Sequence, residues 1–309
     1  MSKTRVVLER CPSLAAAGRV LPLMLEEALL WGSRNLHGLR VLVKPNLLRA
    51  VPLACTSPAV VVAVCDWLNA CGASVTVADS PGFGTALGVA KRIGLDEALR
   101  PLGLAVQRLV PGEPASLPSG NSLMLARQAQ EADAILSVGR VKVHSQMLLT
   151  LACKNLFGLV PGLRKALHHG REGRDPDAFA DMLASLMDFL PPVSAVLDGV
   201  EAMHVTGPAG GRPYALGLLG AGASPVALDE AVCLALGKRP EDVPLQRAFI
   251  RRRHPDCSAC GCEAEYPRLR PRDFSADGFV FPCRLQHTTF RPLRLLKSCL
   301  KRLWMDRFA

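Results

Sequence analysis

The sequence predicts an α/β fold, a mostly parallel sheet flanked by helices, with a basic, cysteine-containing C-terminal extension. Short apolar runs alternate along the chain with helical patterns that start at Ser-Pro and stop at glycine. Such alternation is typical of parallel sheets covered by helices on both faces. Positive charge concentrates at the end, where 251–309 holds 13 Lys and Arg against 6 Asp and Glu. We therefore expect an α/β domain over 1–250 and the extension over 251–309.

The first part of the chain predicts a strand, a helix and a second strand. The run LRVLVKPNLL predicts a buried strand that ends near Lys44. The run SPAVVVAVCDWLNACG predicts a helix with Ser57 as N-cap, Pro58 at the first helical position and Gly72 as its stop. ASVTVADSPG predicts the next strand. This order is that of the unit from which parallel sheets are built.

Later segments repeat this pattern. ADAILSVGRVKVH, SAVLDGVEA and LGLLGAG each predict a strand. The last of them precedes SPVALDEAVCLALG, which predicts a second helix with a Ser-Pro start and a glycine stop. This alternation of strands and helices favours a mostly parallel sheet covered by helices.

Composition excludes several classes of protein. A hydrophobic content of 49% over 309 residues allows a large core and excludes disorder across the whole chain. Aromatic residues make up 5%, which makes nucleic acid an unlikely partner. We find no secretory signal and no charge-free apolar stretch of about 18 residues, so we expect a cytoplasmic protein without a transmembrane helix. The 11 cysteines are then reduced thiols, metal ligands or packing residues.

Polar residues follow the predicted strands at the point where each strand ends. They are Lys44 and Asn46, Asp79 and Ser80, Lys142 and His144, Asp198 and Glu201, and Ser224. The carboxyl ends of parallel strands line one edge of a sheet, and ligands bind in the crevice there. We expect these residues, distant in sequence, to meet in one crevice.

The polar groups of this crevice favour an anionic small molecule or cofactor. The candidate ligand-binding residues are Lys44, Asn46, Asp79, Ser80, Lys154, Asn155, Lys165 and Ser224. Ammonium groups, amide donors and helix N-termini all favour phosphate or carboxylate. The alternative is that the lysines are solvated strand ends and the aspartates are helix caps.

Three residues are candidates for catalysis, namely Lys142, His144 and Asp198. His144 lies two residues after Lys142, so both side chains point to the same face of a strand. An imidazole titrates near neutral pH and can act as an acid or a base. Asp198 adds a carboxylate that can act as a base or a metal ligand.

Six segments carry a resemblance to a known family. They are VLVKPNLL, TSPAVVVAV, VADSPG, RVKVHSQMLLTLACKNLFGLVPG, VLDGVEAMHVTGPAGG and GASPVALDEAV. Their order and separation resemble the domain-of-unknown-function 362 family over approximately residues 5–240, and the string K-x-H followed by K-N-x-F-G-x-x-P-G is the most specific part. The family name implies no settled reaction.

The resemblance also implies a redox setting. Members of that family often carry a ferredoxin-type domain with iron–sulfur clusters, but the ferredoxin motif C-x-x-C-x-x-C-x-x-x-C is absent from this sequence. An oxidoreductase that uses a flavin-like cofactor or an iron–sulfur cluster, with a redox partner protein, is one class of function that remains open.

A cysteine cluster in the extension predicts an alternative function, metal binding. HPDCSACGCEAE places Cys257, Cys260 and Cys262 within six residues, and such thiols can converge on zinc or on an iron–sulfur cluster. A fourth zinc ligand would come from His254, His287 or Cys283. The other interpretation is a cysteine-rich loop without an ion.

The last segment predicts an amphipathic basic helix over 293–308. Leucines recur there at helical spacing, with lysines and arginines between them. Such a helix contacts an anionic membrane surface, docks on a partner, or packs on its own domain with a solvated basic face. The sequence leaves these three interpretations open.

Overall fold

The computed structural model describes residues 3–28, 30–32, 35–117, 122–162, 165, 168, 173 and 175–286. The strands are β1 (Lys3–Arg10), β2 (Arg40–Pro45), β3 (Ser74–Asp79), β4 (Val106–Arg108), β5 (Pro111–Ser116), β6 (Ser122–Ala126), β7 (Ala134–His144), β8 (Leu148–Thr150), β9 (Val193–His204), β10 (Arg212–Tyr214), β11 (Leu218–Gly222) and β12 (Glu263–Glu265). The helices are α1 (Ala17–Glu27), α2 (Pro58–Ala70), α3 (Ala86–Arg92), α4 (Leu95–Leu99), α5 (Arg127–Glu131), α6 (Ala152–Asn155), α7 (Pro176–Ser185), α8 (Pro225–Ala235) and α9 (Pro244–Arg251).

Within these residues, ten strands form one mixed sheet in the order β12-β1-β11-β9-β7-β2-β3-β4, with β8 paired to β7 and β10 paired to β9. Strands β9, β7, β2, β3 and β4 run parallel to one another. Strand β11 runs antiparallel to both β1 and β9. The predicted α/β class, a mostly parallel sheet flanked by helices, is therefore confirmed.

Alternate residues of β2 enter two different hydrophobic clusters. Val41 and Val43 pack in the cluster that contains Val64 of α2, whereas Leu42 packs in the cluster that contains Phe179 of α7. Every residue of β7 is buried. Because helices cover both faces, the central strands have no solvent-facing side, and this explains why they are apolar without alternation.

The helix predicted from the first Ser-Pro pair begins at Pro58 and ends at Ala70. Gly72 follows with φ of +76°, a conformation that glycine adopts without steric cost. Ser57 holds the N-cap position, but its side chain does not cap the helix. Its hydroxyl instead accepts a hydrogen bond from Arg140.

The described part of the C-terminal extension packs on the main sheet. Helix α9 ends at Arg251, and β12 then pairs in parallel with β1. The Arg268 guanidinium lies 2.9 Å from the Glu9 carboxylate on β1. The division of the chain at residue 250 stays a prediction, and the predicted helix over 293–308 lies outside the described residues.

None of the helices in the described ranges is long and apolar enough to cross a membrane. This agrees with the expectation drawn from the hydrophobicity of the sequence. The cytoplasmic location stays a prediction.

Candidate functional site

The candidate site lies where β2 ends and β7 continues. Pro45, the last residue of β2, pairs with Val138, whereas β7 runs on to His144. The side chain of Lys142 therefore reaches into the space beyond the end of β2. This is the carboxyl edge of the parallel strands, where the sequence predicts the crevice.

Lys44 and Asp79 form a buried ion pair at this edge. The Nζ of Lys44 donates to Asp79 Oδ1 at 2.7 Å, to Pro45 O at 3.0 Å and to Asn155 Oδ1 at 3.0 Å. The second carboxylate oxygen of Asp79 accepts from the backbone N–H of Leu47 at 2.7 Å. Burial lowers the pKa of Lys44, and the Asp79 carboxylate opposes that change. All three N–H groups of this ammonium are used, and its charge is compensated.

Two asparagines connect the strands to helix α6. Asn155 Oδ1 also accepts from Asn46 Nδ2 at 2.9 Å. Asn155 Nδ2 donates to Lys44 O at 3.0 Å and to Ser137 Oγ at 3.1 Å. Asn46 Oδ1 in turn accepts from the Nζ of Lys142 at 2.5 Å. This network fixes β2, β7 and α6 relative to one another, as expected of a buried set of polar groups whose hydrogen bonds are made.

Gly158 lies directly against the Lys44–Asp79 pair. A Cβ atom at this position would overlap the Nζ of Lys44 and the Oδ1 of Asp79. The glycine in the segment KNLFGLVPG thus leaves room for the ion pair. Asn155 and Gly158 of this segment therefore both contact the Lys44–Asp79 pair.

Asp229 of α8 holds the start of α6. Its two carboxylate oxygens accept from the backbone N–H groups of Ala152 at 2.8 Å and Cys153 at 3.0 Å. Burial raises the pKa of Asp229 to about 7, although these hydrogen bonds act in the opposite direction. Sequence reasoning missed Asp229 because an acid inside a helix ordinarily faces solvent. The available signal was the nearly continuous apolar run around it.

Arg140 and Asp198 form a second buried ion pair. Arg140 Nη1 donates to Asp198 Oδ2 at 2.8 Å and to Ser57 Oγ at 2.5 Å. Asp198 Oδ2 also accepts from the backbone N–H of Ser57 at 2.8 Å, so it caps helix α2. Sequence reasoning missed Arg140, although it shares a strand face with Lys142. The catalytic role of Asp198 stays a prediction, since the structure shows it paired with Arg140.

Lys142 has no carboxylate bonded to it among the described residues. Its Nζ donates to Asn46 Oδ1 and, at 2.6 Å, to Ala54 O, and both acceptors are neutral. The side chain is 1% exposed. Burial lowers the pKa of Lys142 to about 7; nearby Cys55 and Asp79 oppose this change, and the charges of Lys154 and Arg140 add to it. The surroundings of Lys142 therefore destabilise its ammonium form relative to the neutral amine.

Lys154 is half-buried and, in the part of the chain that the structure describes, has no hydrogen-bond or ion-pair partner. Burial lowers its pKa to about 8. Thr150 of β8 lies opposite Lys142 in the β7–β8 pair, and its buried hydroxyl likewise has no partner among the described residues. Unpaired polar groups therefore collect around Lys142.

His144 lies at the turn between β7 and β8. Its Nδ1 accepts from the backbone N–H groups of Gln146 at 3.1 Å and Met147 at 3.2 Å. These hydrogen bonds stabilise the turn, and they place the proton of a neutral imidazole on Nε2. The predicted acid or base role of His144 stays a prediction.

Two further predicted residues, Ser80 and Lys165, lie at the same edge. Ser80 donates its backbone N–H to Asp79 Oδ1 at 2.7 Å, and its carbonyl oxygen accepts from the Nζ of Lys165. The Ser80 hydroxyl accepts from the backbone N–H of Gly162 at 3.4 Å. Ser80 and Lys165 thus adjoin the Lys44–Asp79 pair.

Ser224 does not join this site, and its predicted placement is wrong. Strand β11 is antiparallel to β9, with Leu218 opposite Gly199 and Gly222 opposite Ala195. The end of β11 therefore lies beside the start of β9, at the opposite edge of the sheet. There the Ser224 hydroxyl accepts from the backbone N–H of Ala227 at 3.3 Å and caps α8.

Metal binding by the cysteine cluster stays a prediction. No group of three His, Cys, Asp or Glu residues within the described ranges is arranged to hold a metal ion. Cys257 and Cys262 are buried and Cys260 is exposed. Burial, followed by the charge of Glu230, raises the pKa of the Cys257 thiol. His287, one of the suggested fourth ligands, lies outside the described residues.

Comparisons with known proteins agree with the resemblance seen in the sequence. Residues 41–234 match the family described as a domain of unknown function (DUF362). A thylakoid-associated protein of Synechocystis sp. is 34% identical over 272 residues, which cover 87% of this chain and 84% of that protein. The lactate racemase apoprotein of Thermoanaerobacterium thermosaccharolyticum superposes with a TM-score of 0.42 at 16% identity, over 64% of this chain and 51% of that one.

Proposed function

This chain belongs to the family described as a domain of unknown function (DUF362), and we propose that it binds a small anion, a carboxylate or a phosphate compound, between Lys142 and Lys154. The family name specifies no ligand, so the proposal depends on the charges of the site.

One observation carries the proposal, namely the balance of charge at the sheet edge. Lys44 is paired with Asp79, and Arg140 is paired with Asp198 and, at 3.7 Å, with the exposed carboxylate of Glu201. Lys142 donates only to neutral oxygens, and Lys154 has no partner among the described residues. Proteins rarely bury a charge without an opposite charge, because desolvation then costs several kcal/mol. A bound anion supplies the missing negative charge.

The surrounding groups suit such a ligand. Two of the three N–H groups of the Lys142 ammonium donate to Asn46 Oδ1 and Ala54 O, so one N–H is left for a ligand. The Thr150 hydroxyl is an additional donor. Charge-assisted hydrogen bonds from buried ammonium groups are stronger than neutral ones. The hydrogen bonds of Asn46 and Asn155 hold the Lys142 ammonium in place before a ligand arrives.

Isothermal titration calorimetry with inorganic phosphate and, separately, with pyruvate tests the proposal. We expect wild-type protein to bind at least one of them with proton uptake, because an anion raises the pKa of both lysines. Lys142→Met and Lys154→Met should each weaken binding by about tenfold or more, the loss of one charge-assisted hydrogen bond. Lys91→Met is the matched control, since Lys91 is exposed on α3.

Two outcomes contradict the proposal. One is that the wild type binds neither anion. The other is that both site variants bind as tightly as the Lys91→Met control, which would mean that the anion lies elsewhere.

A further inference from the structure

We propose that Cys257 and Cys260 are a dithiol that exchanges with disulfides, in which Cys260 attacks the external disulfide and Cys257 completes the reaction. The pair lies in the loop between helix α9 and strand β12, and the proposal is independent of the anion site. The spacing C-x-x-C is shared by metal sites and by thiol–disulfide oxidoreductases. The role of each cysteine therefore depends on its geometry.

The backbone holds Cys257 and Cys260 at a distance that a disulfide spans. Ser258–Cys260 is one turn of 3-10 helix, and the Cys260 N–H donates to Cys257 O at 3.0 Å. Such a turn rises about 2 Å per residue, so the two Cα atoms lie about 6 Å apart. Disulfides join Cα atoms that are about 4.4–6.8 Å apart. The bond therefore closes without a movement of the backbone.

The position of Cys257 in this turn lets its side chain reach Cys260. Cys257 is the N-cap, with an extended backbone (φ −77°, ψ 135°), and Cys260 is the third residue of the turn. A side chain at the N-cap reaches the second or third helical residue. The Glu230 carboxylate of α8 accepts from the Ser258 N–H at 3.1 Å, and Gly261, with φ of +93°, ends the turn. The turn is therefore held at both ends.

Exposure gives the two thiols different roles. Cys260 is an exposed free thiol, whereas Cys257 is a buried one, at 0% exposed. The Cys260 Sγ lies 4.0 Å from Ile250 O, a weak contact that rotation of the thiol breaks at little cost. A dissolved disulfide therefore meets Cys260 first. Cys257 is shielded from that disulfide and reacts with its neighbour in the turn.

Cys262 is the rival partner of Cys257. Its N–H donates to the same oxygen, Cys257 O, at 3.2 Å, and the Gly261 N–H donates to Ser258 O at 3.0 Å. These two bonds form a Schellman motif, in which the residues at its two ends approach each other. Cys262 is buried, so a dissolved disulfide does not reach it. The exchange therefore begins at Cys260 and leaves Cys262 reduced.

The reaction balances with one disulfide as the oxidant. The Cys260 thiolate attacks one sulfur of the external disulfide, whose S–S bond breaks, and the first half leaves as a thiolate that takes up the proton lost by Cys260. The Cys257 sulfur then attacks the sulfur of Cys260. The second half leaves as a thiol with the proton of Cys257. The protein loses two electrons and two protons, and the external disulfide becomes two thiols.

The experiment treats the reduced full chain with oxidised glutathione in a buffer with EDTA, then labels the remaining thiols with N-ethylmaleimide under denaturing conditions. Trypsin cleaves after Arg253 and Arg268, so one peptide carries all three cysteines. In the wild type we expect this peptide to carry one label, on Cys262, and a bond between Cys257 and Cys260. Fragmentation of the peptide by mass spectrometry locates both, so the result does not depend on a variant folding.

Variants separate the two steps of the exchange. Cys257→Ser should stop at the mixed disulfide, with one glutathione on Cys260. Cys260→Ser should leave Cys257 and Cys262 both labelled. Cys283→Ser is the matched control, because Cys283 is another exposed cysteine and lies outside the loop. It should form the bond between Cys257 and Cys260 at the wild-type rate.

Three outcomes overturn the proposal. One is a wild-type peptide with labels on all three cysteines, which would mean that no exchange takes place. Another is a bond that joins Cys257 to Cys262. The third is a glutathione on Cys260 that persists equally in the wild type and in Cys257→Ser, which would mean that Cys257 does not complete the reaction. None of these results bears on the anion site, which calorimetry tests separately.

Discussion

Replacing Lys142 with methionine should change how stability depends on pH. Burial lowers the pKa of Lys142 from its ordinary value of 10.5 to about 7. Between these two values the unfolded chain binds more protons at this residue than the folded chain does. Stability therefore rises with pH in that window, by about 1.4 kcal/mol per pH unit for one group. Below about pH 7 the lysine is charged in both states and its full cost, about 5 kcal/mol, is present.

The variant lacks this dependence but loses two hydrogen bonds. Methionine has a similar length and no charge, so the cost of burying an ammonium disappears. Asn46 Oδ1 and Ala54 O then lose their donor, which costs about 1–3 kcal/mol each. These effects nearly cancel at neutral pH, so a comparison at one pH is uninformative. The difference in slope between the two proteins is the quantity to measure.

The assay is urea denaturation followed by tryptophan fluorescence, from about pH 7 to about pH 9 in buffers without phosphate or carboxylate. Relative to Lys142→Met, the wild type should gain about 2 kcal/mol across this range. The control Lys91→Met should follow the wild type. Parallel curves for the wild type and Lys142→Met would refute the argument, because they would mean that Lys142 is solvated or paired with a carboxylate.

Two further predictions concern the Lys44–Asp79 pair. Gly158→Ala should lower the free energy of unfolding in urea by about 1–3 kcal/mol, since its Cβ overlaps the buried pair. The control Gly18→Ala, in helix α1 with open space around it, should be neutral or stabilising. Equal effects of the two substitutions would contradict the steric argument for Gly158. Asp79→Asn should cost about 3–5 kcal/mol because it leaves a buried ammonium unpaired. Glu263→Gln, in the exposed Lys3–Glu263 pair, should leave the unfolding curve nearly unchanged, and a similar effect in both would argue against burial of the Asp79 pair.

The sequence was sufficient to predict the central strands β2, β3, β7, β9 and β11 and the grouping of five site residues. Lys44, Asn46, Asp79, Lys142 and Asn155 are brought together in one network of hydrogen bonds. The reason is that parallel strands with helical crossovers bring their carboxyl ends to one edge, whatever the distance in sequence. The position after an apolar run was therefore enough for Lys44, Asn46, Asp79 and Lys142, whereas Asn155 comes from helix α6.

The error at Ser224 has a different cause. The run LGLLGAG has the apolar pattern of a buried strand, and that pattern is the same for either strand direction. The direction of β11 follows from its connection to β9 through the short β10 hairpin. A short connection favours antiparallel pairing, and this places Ser224 at the other edge.

Local sequence by itself determined the α/β class, the helix starts at Ser-Pro, the glycine stops, and the edge at which charged residues collect. These features depend on periodicity and backbone preference, which act within a few residues. Only the tertiary structure decided which charges are paired. Arg140 forms an ion pair with Asp198, and Lys44 forms one with Asp79. Lys142 and Lys154 form no ion pair with a carboxylate among the described residues. Charge compensation depends on distances of a few ångströms between residues far apart in the chain, and no spacing in the sequence encodes those distances.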